Sequence, residues 1–238
     1  VACRSQNDAW PRIQETGILK VGLDPTYPPF EAADANGVLG LDVDLANALA
    51  ADLGLQTEFV LFGYDGLYDA LATGQVDVLI SALVIAPERT KDFAYSEPYF
   101  NAGEILIVRQ EETEIASMED LHGRTLSVEL GALGHVEAIA WAEKLDDLTV
   151  VPYPTADEAM TAVAVGQADA ALVDAISGRL FLKGNPGLKR TAVPVTVEPF
   201  AIVTRIGDHR LLNELNDSLA QLQTTGKLDE IVNHWLGE

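Results

Sequence analysis

Thirteen residues recur in this chain with their structural punctuation intact. Asp65–Asp77 aligns without gaps on Asp157–Asp169, and both copies close on the same joint, Gly74-Gln75-Val76-Asp77 and Gly166-Gln167-Ala168-Asp169. Each copy reads as an amphipathic helix, a glycine stop, and an acid that opens the next strand. Around the first copy, Ile18–Leu23, Gln56–Phe62 and Val76–Leu83 have strand character, while Asp42–Leu53 and Gly66–Thr73 have helical spacing. Strand–helix–strand order requires parallel neighbours joined by right-handed crossovers, hence an α/β sheet covered by helices. The repeat predicts two α/β lobes of similar design. Glu104–Arg109 and Phe200–Arg205 are short apolar strands bounded by polar residues. If they run between the lobes they form a two-strand hinge, with 1–107 plus 201–238 as a discontinuous first lobe and 108–200 as an inserted second. Asp208–Leu236 reads as two helices separated by Thr225-Gly226 that pack back on the first lobe.

Composition removes several function classes. No run in the 238 residues approaches the roughly 20 apolar residues that span a bilayer. The net charge of −22 repels a phosphate backbone, so nucleic acid is not an expected partner. With Cys3 the only cysteine and four scattered histidines, neither a disulfide nor a transition-metal site is expected, and no residue pattern calls for a cofactor. Val1-Ala2-Cys3 followed by the polar stretch Arg4–Asp8 matches the tail of a bacterial lipoprotein signal. Contact with a membrane is expected only through a lipid at Cys3.

Several blocks, in order, carry a resemblance. Leu19–Glu31 contains Tyr27-Pro28-Pro29-Phe30-Glu31, and Gly40-Leu41-Asp42-Val43-Asp44-Leu45 follows. Next come Tyr64-Asp65-Gly66-Leu67, Gly74–Asp77, Pro87-Glu88-Arg89-Thr90 and Phe93–Tyr99, and the chain closes on Gly226–Ile231 and Trp235. From about residue 17 onward the sequence resembles the family 3 extracellular solute-binding proteins, the polar amino-acid receptors of ABC importers. The resemblance implies a periplasmic-binding-protein type II fold, an extracytoplasmic monomer, and an ABC permease as partner.

It also implies roles for particular residues. An amino acid presents a carboxylate and an ammonium, both costly to bury unless paired. Arg89 occupies the family's carboxylate-binding position, and a guanidinium can grip a carboxylate through two parallel donors. Asp174, after the strand Ala170–Val173, matches the acid that receives the α-ammonium, although aspartate there would also cap a helix. Arg89 on one lobe and Asp174 on the other would let one ligand hold the hinge closed. Tyr27 and Tyr64 match the aromatics that enclose the ligand side chain, and Asp24 matches a contact to its distal group. Ser81, Ala82 and Val84 precede the arginine, and Gly131, Ala132 and Leu133 form a helix start suited to an anion.

Two positions depart from the family by lacking a hydroxyl, Val84 and Leu133. A third departure is Glu129, at a position whose side chain faces the ligand in relatives. Together with Asp24, Tyr27 and Tyr64 it predicts an acidic, aromatic enclosure for a basic or cationic amino acid or a related compound. Two other readings compete. Related dehydratases of prephenate or arogenate carry a glutamate three residues after the second-lobe aspartate; here that residue is Ser177, which removes the acid such chemistry needs. The same fold also serves as the sensing domain of receptors, which continue into a membrane helix.

Overall fold

The computed structural model describes residues 8–237, so the expectation for Cys3 lies outside the described residues. The chain divides into two compact units: Val1–Phe100 with Pro199–Trp235, and Asn101–Glu198 with Leu236–Glu238. The chain therefore changes unit at 100/101 and 198/199 rather than at 107/108 and 200/201, and once more at 235/236. Glu104–Arg109 is not a connection. It is a strand of the second unit, paired antiparallel with Ala170–Asp174 on one side and Leu188–Arg190 on the other. The expected strand Phe200–Arg205 is also divided, into Pro199–Phe200 and Val203–Arg205, because the Ile202 N–H turns to the Ser96 hydroxyl at 2.9 Å.

The first unit has a five-stranded sheet in the order Gln56–Leu61, Ile18–Leu23, Val78–Leu79, Val203–Arg205, Phe93–Tyr95. The first three run parallel, as their helical crossovers require; Val203–Arg205 is antiparallel to them, and Phe93–Tyr95, antiparallel to Val203–Arg205, runs in their direction. Leu19, Val21 and Leu23 carry the alternation of a covered strand and are fully buried. The helix Leu41–Asp52 buries Leu41, Leu45 and Leu49, a four-residue spacing that puts them on one face. It begins after Gly40 at φ 139°, where any Cβ would overlap the Phe30 carbonyl. The expected strand Val76–Leu83 is shortened to Val78–Leu79. The reason is non-local: the Asp42 carboxylate takes the Ala82 N–H at 2.6 Å and turns the backbone to φ 45°.

The second unit repeats that plan: Thr149–Tyr153, Thr125–Glu129, Ala170–Asp174, Glu104–Arg109, Leu188–Arg190. The recurring sequence joint is a recurring structural joint. In the first unit, Arg205 donates to the Leu71 and Val76 carbonyls at 3.0 and 2.8 Å, while Asp77 accepts the Lys20 N–H at 3.0 Å. In the second, Arg109 donates to the equivalent Val163 and Ala168 carbonyls at 3.3 and 3.0 Å, and Asp169 accepts the Thr125 N–H at 2.8 Å. Each arginine satisfies carbonyls left over at a helix C-terminus, where a cation is also favoured by the helix dipole.

Candidate functional site

In the first unit, Asp24, Ser81 and Ala82 belong to one hydrogen-bonded network built on two buried acids. Ser81 accepts the Asp24 N–H at 3.0 Å and donates to Glu31 at 2.8 Å. Asp42 accepts from the Ala82 N–H and from the Tyr99 hydroxyl at 3.0 Å. Glu31 and Asp42 are close enough for each to shift the other's titration. Burial raises the pKa of both; the neighbouring Asp42 charge raises Glu31 further, and hydrogen bonds from Glu31, Ala82 and Tyr99 offset part of the rise at Asp42. Glu31 Oε2 and Asp42 Oδ1 are buried with no hydrogen-bond partner among the described residues, which one proton shared across the pair accounts for. The network fixes the ends of the central strands, where ligands of open α/β sheets bind.

The aromatic and basic positions divide. Tyr27 is about half exposed and stacks on the buried Phe30 ring at 5.7 Å. Tyr64 is exposed, in the short turn Tyr64–Gly66, and acts electrostatically on Tyr68. Arg89 lies exposed in the turn Pro87–Arg89, with its guanidinium 4.1 Å above the Tyr68 ring. That ring face attracts a cation without consuming the guanidinium's in-plane donors. Arg89 borders a cavity of ≈560 Å³ with Tyr68, Asp69, Asp92, Phe93 and Arg205. No hydrogen bond joins it to Asp24, Ser81 or Ala82 among the described residues. Val84 is exposed and bridges to Phe200.

In the second unit the expected residues gather at one end of the sheet, where two parallel strands finish. Glu129 closes Thr125–Glu129 and Asp174 closes Ala170–Asp174. Asp174 is the helix N-cap: its Oδ1 accepts the Ile176 and Ser177 N–H groups at 3.0 and 2.9 Å. Its Oδ2 carries no hydrogen bond among the described residues, so capping and ligand binding do not exclude one another. Gly131, at φ 86°, donates to His135 Nδ1 at 3.2 Å. Ala132 caps the helix Leu133–Ala142 without a side-chain hydrogen bond, leaving no side-chain oxygen on its first N–H groups. Leu133 is exposed.

Three residues escaped the sequence reading. Glu31 and Asp42 sit inside the recognised motifs, but nothing local distinguishes a buried acid from one at a turn or a helix start. Glu104 was read as the polar edge of an apolar strand, yet it is buried, only 6% exposed. Among the described residues no group of three or more His, Cys, Asp or Glu has an arrangement that could hold a metal ion, and no helix is long and apolar enough to cross a membrane.

Comparison with known proteins places these observations. The family described as bacterial extracellular solute-binding proteins, family 3, matches residues 19–238. The L-cystine-binding protein TcyJ of Escherichia coli K12 is 31% identical over 229 residues, covering 95% of this chain and 85% of that protein. An ancestral cationic amino acid solute binding protein is 34% identical with a TM-score of 0.66, covering 96% of this chain and 100% of the other. An ancestral cyclohexadienyl dehydratase is 29% identical with a TM-score of 0.83, covering 100% of this chain and 98% of the other. The fold is that of the type II periplasmic binding proteins. With the match running from the first strand to the end of the chain, this protein belongs to the family 3 bacterial extracellular solute-binding proteins.

Proposed function

We propose that this chain is the extracytoplasmic substrate-binding component of an ABC-type amino-acid importer, and that it takes a cationic zwitterion and releases it unchanged. The observation that carries the reading is Asp174. It is held rigid by two backbone donors on one oxygen and keeps the other for a ligand's ammonium. Arg89 receives the carboxylate in this reading, its guanidinium held against Tyr68 with its donor edge available. Glu129 and Asp24 favour a second positive charge on the ligand and disfavour an acidic one. The relative named for L-cystine supports an amino-acid ligand, and the one named for cationic amino acids supports its charge.

A dehydratase function is disfavoured by Ser177, whose N–H serves the Asp174 cap and whose side chain cannot protonate a leaving hydroxyl. Attachment through a lipid at Cys3, a monomeric state, and delivery to a permease complete the proposal.

The test is thermal unfolding of the protein with L-arginine, L-lysine, L-glutamine, L-cystine and L-glutamate, followed by calorimetry on whichever shifts. At about 100 times its Kd, a ligand adds roughly 2.7 kcal/mol to stability. Arginine or lysine should give the largest shift, and Asp174→Asn and Arg89→Lys should each remove most of it. A shift with glutamate alone overturns the charge preference. Turnover of prephenate or arogenate overturns the transport reading.

A further inference from the structure

Among the described residues, Glu104 is the one strongly buried acid of the second unit that neither the sheet nor a helix cap explains. Its strand lies antiparallel to Ala170–Asp174, and the register sets Glu104 directly opposite Asp174, so both side chains emerge on the same face of the sheet. Glu104 Oε2 is buried without a hydrogen-bond partner among the described residues. It lies against Gly134, in the first turn of Leu133–Ala142, where a Cβ would come within 2.6 Å of that oxygen. The groups that act on Glu104 most after its burial are all acids: Asp174 first, then Glu198, Glu137 and Glu129. They come from four different segments. Asp174 and Glu129 end two strands, Glu137 lies on the adjoining helix, where it accepts the Trp141 indole N–H at 2.9 Å, and Glu198 ends the unit's continuous segment.

We propose that Glu104 is a specificity-determining residue of the ligand site: beside Asp174, which takes the α-ammonium, it takes a second cationic group carried by the ligand's side chain, and it gives up a proton to solvent when that cation arrives. This rests on the amino-acid reading above and adds Glu104 to Glu129 and Asp24 as the acids that set its charge preference. The chemistry balances simply. The neutral carboxyl and the incoming ammonium, guanidinium or amidinium exchange for a carboxylate, the bound cation and one released proton. Burial, then the four acids, raises the Glu104 pKa to about 7, so near neutrality the group is divided between its two forms. An unpartnered buried oxygen among like charges is the arrangement a cation relieves most, because it supplies both the missing donor and the missing countercharge. A neutral or acidic side chain supplies neither.

The experiment is calorimetric titration of the unmodified protein with L-arginine between pH 6 and 8, in two buffers of different ionisation enthalpy. Proton release should be measurable below about pH 7 and vanish by pH 8, and affinity should fall as pH is lowered, by as much as tenfold per pH unit. Glu104→Gln should cost about tenfold to a hundredfold in arginine affinity and abolish the released proton and its pH dependence. L-glutamine, titrated in parallel, should lose much less. Arginine binding with no proton release in the unmodified protein, or with the same pH profile in Glu104→Gln, overturns the assignment while leaving the amino-acid reading intact. Failure of the unmodified protein to bind any amino acid overturns both.

Discussion

The two units share a sheet order, a repeated helix–strand joint and an arginine that closes it, yet they treat their acids in opposite ways. In the first, Glu31 and Asp42 are enclosed together: Ser81 answers one oxygen of Glu31, Ala82 and Tyr99 answer one of Asp42, and a proton shared between the two acids accounts for the remaining pair. In the second, Asp174, Glu129 and Glu104 crowd the ends of the strands, and one buried oxygen is answered by nothing among the described residues. A satisfied buried network holds a backbone in place; an unsatisfied one is a demand for a partner. The difference teaches that the same scaffold can hold a braced pair of acids in one unit and a crowd of mutually repelling acids in the other.

The sharpest way to break that comparison is Asp42→Ala. It removes the acceptor for the Ala82 N–H and the Tyr99 hydroxyl at once and strands Glu31, so it should cost about 3–5 kcal/mol in urea unfolding. Asp174→Asn should change stability by under about 1 kcal/mol, since the amide oxygen still caps its helix. If the two cost the same, the division into bracing and binding acids is wrong.

The pH dependence separates the units next. Glu31 holds a proton in the folded state that the unfolded chain releases above its ordinary value of 4.5. A raised carboxyl pKa makes stability fall as pH rises, starting at 4.5 and continuing past neutrality. One proton corresponds to about 1.4 kcal/mol per pH unit, hence about 2–3 kcal/mol lost between pH 7 and 9. Glu104 acts with the same sign, but its fall runs from 4.5 and is complete near its folded value of about 7. Glu31→Gln should therefore flatten the stability profile above pH 7, and Glu104→Gln only below it. Unfolding midpoints across pH 5 to 9 check both. A profile left unchanged above pH 7 by Glu31→Gln means that Glu31 is not the protonated member of its pair.

The repeated joint offers a smaller contrast. Asp77 is almost fully buried, with Arg12 and Arg205 beside it, whereas Asp169 keeps 27% of its side chain exposed between Arg109 and Arg124. Water screens the second and not the first. Asp77→Ala should cost about 2–3 kcal/mol and Asp169→Ala about 1 kcal/mol. Equal losses would mean that the Lys20 and Thr125 backbone contacts, common to both, carry the whole effect.

How much of this was legible in the sequence follows from the range of each interaction. The joint was legible because a glycine stop and a strand-opening acid are local signals, and the motif residues carried the family. The crossings were misplaced because the partners of Glu104–Arg109 come from Ala170–Asp174 and Leu188–Arg190, which no property of the strand itself announces. Val76–Leu83 read as one strand because the carboxylate that ends it belongs to Asp42, forty residues away in the chain. The position of Arg89 was legible, but its seat on Tyr68 was not. Glu104 read as a boundary because its burial is set by Asp174 and Gly134, both distant in sequence.

The smallest expected effect tests what the second unit's other feature is for. The helix Ala156–Ala164 is capped by Thr155, whose hydroxyl accepts the Glu158 N–H at 3.2 Å, whereas Leu133–Ala142 begins at Ala132 with no such bond. The backbone at Ala132, φ −74° and ψ 170°, already has the geometry a capping side chain needs. Ala132→Ser should therefore stabilise the unit by about 0.5–1 kcal/mol. If those N–H groups are held for a ligand's carboxylate, the added hydroxyl competes with it, and amino-acid affinity should fall as stability rises. A gain in stability with no loss of affinity would show that the uncapped helix start is only an imperfect cap, and would leave carboxylate recognition to Arg89.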